Sequence, residues 1–496
     1  MKPLRNVLLA TALLAALPPA AEARAYTCFG KVATIVGTPD RDSLHGTERD
    51  DVIVGLGGAD IIRAGRGDDL ICEGGNGGIS NGTVYAGGGN DVVIGGRGGD
   101  TVFGRGGSDL VYGGEGQDHL SGWHGNDRLY GGNGDDQIGT GHGRDTADGG
   151  MGADLLAWEA IWREHTELSR WIVDLEHGTA TGYGSDRFSN IEGVFGSPED
   201  DLLMGSSASD RIIGSGGADV IRGLDGDDHL IGEGDHGMTG SNDRIFGGRG
   251  NDEIFGDGTE DVAGDDRLFG GPGADVVYGD YSYFIEFEGA HGSDLIAGGP
   301  GADELHGDYV GDESHIDDGE GTTDEIRGGA GRDHVIGGGG DDRLFGGLGA
   351  DVLDGDTIRG HGWDDTLHGG PGDDLLNGEL AWHGGGEDRL FGGRGDDRLF
   401  GDVFVPNGIA TSTPETFRPA GDHLVGGRGA DLLVGDVPDD EGHRGASDRL
   451  YGGRGNDDLH GEGWNDHLDG NGGNDRADGG SGFDECENSE ENVSCE

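Results

Sequence analysis

Between Asp91 and Leu156 an apolar side chain returns every nine residues: Val93, Val102, Val111, Leu120, Leu129, Ile138, Ala147 and Leu156. A nine-residue return fits neither a helical face nor a continuous alternating strand, so each apolar residue belongs to its own short segment of a repeat. Two residues ahead of each stands an aspartate: Asp91, Asp100, Asp109, Asp118, Asp127, Asp136, Asp145 and Asp154. Two residues ahead of each aspartate stands a glycine, from Gly89 to Gly152. The unit is Gly-Gly-x-Gly-x-Asp-x-(apolar)-x. Its glycines permit positive φ and a tight turn, and its tail is a very short strand with one side chain turned inward. Two units make one flattened coil, and units eighteen residues apart stack at about 4.8 Å. The expected fold is all-β, a parallel β-roll or β-solenoid. Asp91, Asp109 and Asp127 line one edge, Asp100, Asp118 and Asp136 the other.

Columns of carboxylates at that spacing repel. At about 4.8 Å and an effective dielectric near 20, each neighbouring pair costs roughly 3.5 kcal/mol. A cation between successive turns removes that repulsion. Carboxylate with backbone carbonyl oxygen is a hard, oxygen-only donor set, which suits Ca²⁺ better than zinc or copper. The unit resembles the nonapeptide of the repeats-in-toxin (RTX), or hemolysin-type, calcium-binding family. That resemblance implies a parallel β-roll with Ca²⁺ held between turns by the Asp side chain and glycine-turn carbonyls.

The candidate ligands follow the period along the chain. They begin with Asp60 and Asp69 and continue through the eight aspartates from Asp91 to Asp154. After Asp219 and Asp228 come the pairs Asp243/Asp252, Asp266/Asp275 and Asp294/Asp303. Then follow Asp324, Asp333, Asp342 and Asp351, the pairs Asp365/Asp374, Asp388/Asp397 and Asp422/Asp431, and finally Asp448, Asp457, Asp466 and Asp475.

Residues 1–25 read as a secretory signal: Lys2 and Arg5, an apolar run from Val7 to Leu17, and Ala23-Arg24-Ala25 before Tyr26. The run is short for a membrane span, and no other segment reaches that length. Residues 26–86 form a degenerate repeat cap, in which Arg49 replaces the glycine before Asp51. Residues 87–156 are the regular roll. Residues 157–198 carry Trp158, Trp162 and Trp171 and two apolar stretches, and resemble the strand-rich inserts found within RTX repeat regions. The Trp-rich part reads as core or cap packing, with sugar or membrane contact as the alternative. Residues 199–447 resume the repeat with insertions, and 448–496 close it. In an oxidising compartment the simple pairing is Cys28–Cys72 and Cys486–Cys495, one disulfide at each end.

From Gly232 onward the insertions always follow the second unit of a coil. Because units alternate edges, these loops fall on one edge and form a ridge. It carries Tyr281, Tyr283, Phe284, Phe287, Tyr309, Trp363, Trp382, Phe404 and Phe417. His236, His291, His315, His361, His383 and His443 lie there too, without a transition-metal spacing. Acidic entries such as Gly256-Asp257, Gly279-Asp280 and Gly401-Asp402 recur. The ridge reads as a surface for a glycan or protein partner, or as solvated decoration with extra Ca²⁺ ligands.

Charge narrows the function further. With 98 acidic and 33 basic residues the formal charge is −65, which favours cations and disfavours nucleic acid. Gly 114 and Pro 12 would suggest disorder without the period, and with it suggest order conditional on metal. No enzyme is expected. H-E-x-x-H does not occur, Glu164-His165-Thr166-Glu167 lacks the second histidine, and no nucleophile elbow is read. The repeat leaves no room for a catalytic domain. The resulting expectation is a secreted, extracellular, calcium-ion-binding repeat protein that folds on Ca²⁺ and serves a structural or interaction role. An extracellular adhesin or toxin-like protein contacting glycan or membrane is the alternative, and an enzyme accessory the least favoured.

Overall fold

The computed structural model describes residues 26–74, 81–157, 169–233, 240–257, 263–282, 292–310, 322–356, 362–381, 385–404, 420–437 and 445–495. Residues 1–25, Trp158, Trp162 and most of the ridge residues named above lie outside them, as do the side chains of Tyr309 and Phe404.

All regular structure among the described residues is β. Outside residues 27–32, 137–143 and 171–189, consecutive strands lie in opposite sheets, and each strand pairs in parallel with the one a coil away. Val92–Arg97, Leu110–Glu115, Arg128–Asn133 and Thr146–Met151 belong to the first sheet. Thr101–Gly106, His119–Gly125, Gln137–Gly139 and Leu155–Ala157 belong to the second. The register places Val93 beside Val111, then Leu129 and Ala147, and Val102 beside Leu120, then Ile138 and Leu156. These two files of side chains are buried together in one core between the sheets. A leucine file continues it as Leu344, Leu367, Leu390, Leu424, Leu450 and Leu468.

A strand such as Arg128–Asn133 buries its second and fourth residues, Leu129 and Gly131. The apolar residue fills the narrow core and the glycine lets the chain bend toward the next turn. Outward positions stack along the roll axis, as in Tyr85 on Phe103 at 5.1 Å and Tyr112 on Tyr130 at 5.0 Å. Such ladders shield strand edges and add to apolar burial.

Residues 171–189 are spliced into the first sheet. Ile172–Asp174, Thr179–Thr181 and Ser185–Ser189 form an antiparallel meander. Its outer members pair in parallel with Leu202–Met204 and Thr146–Met151. Trp171 is 5% exposed and packs in the core with Val173, Ala180 and Phe188, so its indole is a packing element.

Every break in the described chain from residue 234 onward separates the end of a second-sheet strand from the start of a first-sheet strand. The insertions therefore leave from a single edge, as the counting of units implies. The earlier break at 75–80 lies on the opposite edge, between Leu70–Cys72 and Thr83–Gly88. Disulfides Cys28–Cys72 and Cys486–Cys495 close the two ends. No helix among the described residues is long and apolar enough to cross a membrane.

Candidate metal centres

Each repeat aspartate immediately precedes a strand, which fixes its side chain at the edge between two turns. All thirty-two candidate aspartates, from Asp60 to Asp475, are buried. They connect along each edge by one recurring bond. The backbone N–H of Asp91 donates to Oδ1 of Asp109 at 2.8 Å, and that of Asp109 to Oδ1 of Asp127 at 2.7 Å. On the other edge Asp100 donates to Asp118 at 2.7 Å and Asp118 to Asp136 at 2.8 Å. The edge assignment made from spacing is the one observed.

The second oxygen is left over. Oδ2 of Asp91, Asp100, Asp109, Asp118 and Asp136 is buried without a hydrogen-bond partner, and the same holds at Asp219, Asp351 and Asp466. A buried carboxylate oxygen without a partner is costly, so it marks a place for a cation or a proton. The surroundings fit a cation. A Cβ built on Gly104 would lie 2.5 Å from Oδ2 of Asp109 and 3.0 Å from the carbonyl oxygen of Gly122. A Cβ on Gly95 would lie 2.6 Å from Oδ2 of Asp100 and 2.7 Å from the carbonyl oxygen of Gly113. The inward glycine thus keeps open a hollow on which a carboxylate and a carbonyl of the next coil converge. Oxygen donors of this kind suit a hard divalent cation.

The electrostatics amend the reading from sequence. Burial is the first cause raising these carboxyls; at the plain turns backbone donation opposes it and repulsion comes after, while at Asp266, Asp324 and Asp422 neighbour repulsion ranks second. Burial takes Asp100 up to about 8 against the Gly82 N–H, with Glu73 and Asp118 adding to the rise. It takes Asp109 and Asp118 up to about 6. Asp219 rises to about 9, first by burial and then by the charges of Asp243 and Asp201. The stacked carboxylates are compensated on Oδ1 by the N–H ladder, so loss of water outweighs mutual repulsion.

The turn residue after the inward glycine takes three recurring forms, beside single cases such as Leu56, Arg105, Trp123 and Leu224. In regular turns it is glycine, as at Gly96 and Gly114. In five turns it is Ser or Thr, and in four of these it caps the aspartate ahead, whereas Ser215 donates to the carbonyl of Gly196. Thr47 donates its N–H at 2.7 Å and its hydroxyl at 2.8 Å to Oδ2 of Asp51, and Thr38 serves Asp42 in the same way. Ser197 and Ser206 donate their N–H groups to Oδ2 of Asp201 and Asp210. The degeneracy of the amino-terminal cap is thus built less by Arg49 than by Thr38 and Thr47, which occupy the place a cation would take. In the third form, at the insertions, the residue is Asp or Glu.

Several file members lie outside the candidate ligands, although spacing makes Asp484 the last unit of the closing repeat block. Asp484 keeps the nine-residue spacing and has a buried, unpartnered Oδ2. Asp186 enters through the spliced meander and accepts the N–H of Asp145 at 2.9 Å. Glu192 accepts from Asp154 at 2.9 Å and Glu490 from Asp475 at 2.7 Å, each extending a file with a longer side chain. One sequence pattern was also overlooked. Gly78-Ile79-Ser80-Asn81-Gly82 has the formal spacing of a nucleophile elbow. The strand Thr83–Gly88 follows where an elbow needs a helix, and Ser80 lies outside the described residues.

Fold and site together define a calcium-binding β-roll. The family model described as "RTX calcium-binding nonapeptide repeat (4 copies)" matches residues 36–71, 76–156, 195–280, 288–308, 318–380, 384–403, 420–437 and 445–486. The chain belongs to that family, whose repeats bind Ca²⁺. No curated protein shows significant similarity to the chain.

Proposed function

We propose that this chain is secreted and folds as it binds Ca²⁺, serving as a rigid extracellular scaffold rather than a catalyst. The observation that carries the reading is the repeated buried Oδ2, facing a glycine hollow and a carbonyl of the next coil. In this account the candidate aspartates are the ligands, one per turn, and each ion offsets the cost of burying their charge. Metal affinity then becomes folding free energy. Scarce Ca²⁺ inside the cell leaves the chain extended for export, and abundant Ca²⁺ outside closes the roll. The insertion loops on one edge are the surface offered to a glycan or protein partner, since a rigid repeat presenting variable loops is a common binding architecture. Equilibrium dialysis of residues 26–496 against ⁴⁵Ca²⁺ tests the reading. Many ions per chain are expected, with a proportionate loss in a variant carrying Asp→Asn changes along one file. A chain that takes up no more than adventitious Ca²⁺ would overturn it.

A further inference from the structure

The third form of the turn residue makes a file of its own. At the eight insertions the residue after the inward glycine is Glu233, Asp257, Asp280, Asp308, Asp356, Glu379, Asp402 and Asp436. Between Asp333 and Asp342, where no insertion intervenes, the residue is Gly338, while between Asp457 and Asp466 it is Glu462. The parallel register aligns Asp257, Asp280 and Asp308, and again Asp356, Glu379, Asp402 and Asp436. From sequence these acids read as solvated decoration with extra Ca²⁺ ligands. They are all buried, and Asp356, Glu379 and Asp402 are 0% exposed.

Seven of the eight carboxylates, all but Asp308, accept a backbone N–H at the neck of an insertion. Asp356 accepts the Trp363 N–H at 2.9 Å, Asp402 the Ala420 N–H at 2.9 Å, and Asp436 the Ala446 N–H at 2.7 Å. Glu379 accepts the Gly386 N–H. Every such donor stands two residues before the next repeat aspartate, so the bond closes the loop where the chain re-enters the roll. One oxygen is used in this way. The other, Oδ1 of Asp356 and Asp402 and Oε2 of Glu379, is buried without a hydrogen-bond partner, as is Oδ2 of the adjoining Asp388. One oxygen each from Glu379, Asp388 and Asp402 lies within 4.8 Å of the others. A Cβ on Gly378 would meet Oδ2 of Asp388 and, at 2.7 Å, the carbonyl oxygen of Gly401. Three convergent, water-excluded carboxylates beside a carbonyl cannot all carry charge unless a cation sits among them.

We propose that the insertion-bearing edge holds a second kind of Ca²⁺ site, most complete at Glu379, Asp388 and Asp402, in which the added acid both ligates the ion and clamps the loop neck. The site rests on the Ca²⁺-binding reading above and adds ligands that the nonapeptide itself does not supply. More carboxylates per ion strengthen binding to a hard cation and favour Ca²⁺ over the geometrically stricter Mg²⁺. These sites then fill at lower Ca²⁺ than the plain turns. Occupancy fixes Gly386 and Ala420, so the loops are presented at a set exit angle only in the loaded protein.

The test compares the whole chain with the isosteric double variant Glu379→Gln/Asp402→Asn, using Ca²⁺ alone as ligand. Native mass spectrometry counts ions, and hydrogen exchange follows the amides of Gly386 and Ala420. The variant is expected to lose one or two of the tightest ions, with at least tenfold faster exchange at both amides in Ca²⁺. If it does not fold, Glu379→Gly, which restores the residue of a regular turn, serves for the same count. An unchanged ion count in a variant whose parent binds Ca²⁺ would overturn this proposal alone, and would assign the acids to a shared proton. A parent chain that binds no Ca²⁺ would overturn the functional reading with it.

Discussion

The backbone N–H of Asp100 donates to Oδ1 of Asp118, one coil further on, at 2.7 Å. The same carboxylate buries Oδ2 with no partner, beside the Gly113 hollow that faces the carbonyl of Gly131. The two oxygens of one side chain therefore have different tasks, one tying coils together and one awaiting a positive charge. Behaviour with and without metal follows from that division.

Asp118→Asn separates the tasks. The amide keeps an acceptor for the Asp100 N–H but carries no charge. In chelator the variant should be at least as ordered as the parent, because a buried charge is gone. In Ca²⁺ its affinity at the neighbouring site should fall about tenfold or more, about 1.4 kcal/mol. Paired Ca²⁺ titrations and strand signal in chelator read both effects. Equal Ca²⁺ affinity in the two proteins contradicts the ligand assignment.

Acid should substitute in part for metal. The folded carboxyls titrate above their unfolded value of 3.8, at about 6 for Asp109 and about 8 for Asp100 and Asp466, burial being the first cause. Between those values the folded chain binds more protons than the unfolded one, so stability falls as pH rises. The contribution is complete below about pH 4 and lost through pH 6 to 8. The metal-free chain should gain strand signal on acidification from pH 8 to pH 5. With Ca²⁺ present the dependence reverses, since protons compete for the ligand oxygens. Far-UV circular dichroism across pH, with and without chelator, checks both signs.

A methyl group placed in the hollow should act like loss of a ligand. Gly104 has no positive φ, so Gly104→Ala introduces no backbone strain, yet its Cβ would lie 2.5 Å from Oδ2 of Asp109. At Gly88 the nearest atom to a new Cβ is Cγ of Arg66, at 3.9 Å. Gly104→Ala should lose about one Ca²⁺ and destabilise its coil, while Gly88→Ala should leave the ion count intact. Ion counting on the two variants decides it.

The Ser and Thr turns should be indifferent to Ca²⁺. Thr47→Val removes the hydroxyl bond to Oδ2 of Asp51, and about 1–2 kcal/mol of stability should go with it. The number of Ca²⁺ ions bound should match the parent's. A lower Ca²⁺ count in the variant contradicts the capping role.

Much of this was legible because one residue type recurs at one spacing. Val93 and Leu129 announce an inward position, Asp91 and Asp109 an edge, and the longer gaps after Asp252 or Asp397 a common exit side. The two disulfides followed from four cysteines at the chain's ends. The N–H to Oδ1 ladder was not legible, because it joins residues a full coil apart and depends on strand register. Asp186 and Glu192 escaped because the meander breaks the period, so their place in the files exists only once the strands are paired. Glu379 and Asp402 were visible as acids beside glycine, but solvated and buried carboxylates look alike in sequence. Burial was what distinguished them.

The most direct test of the central claim is a far-UV circular dichroism titration of residues 26–496, stripped with chelator at pH 7.5, with Ca²⁺ and with Mg²⁺ as control. Metal and fold being one event predicts a cooperative coil-to-strand transition in Ca²⁺ and little change in Mg²⁺. A chain with full strand signal in chelator, unaltered by Ca²⁺, contradicts it: packing and disulfides would then hold the roll, and the buried Oδ2 atoms would be carrying protons.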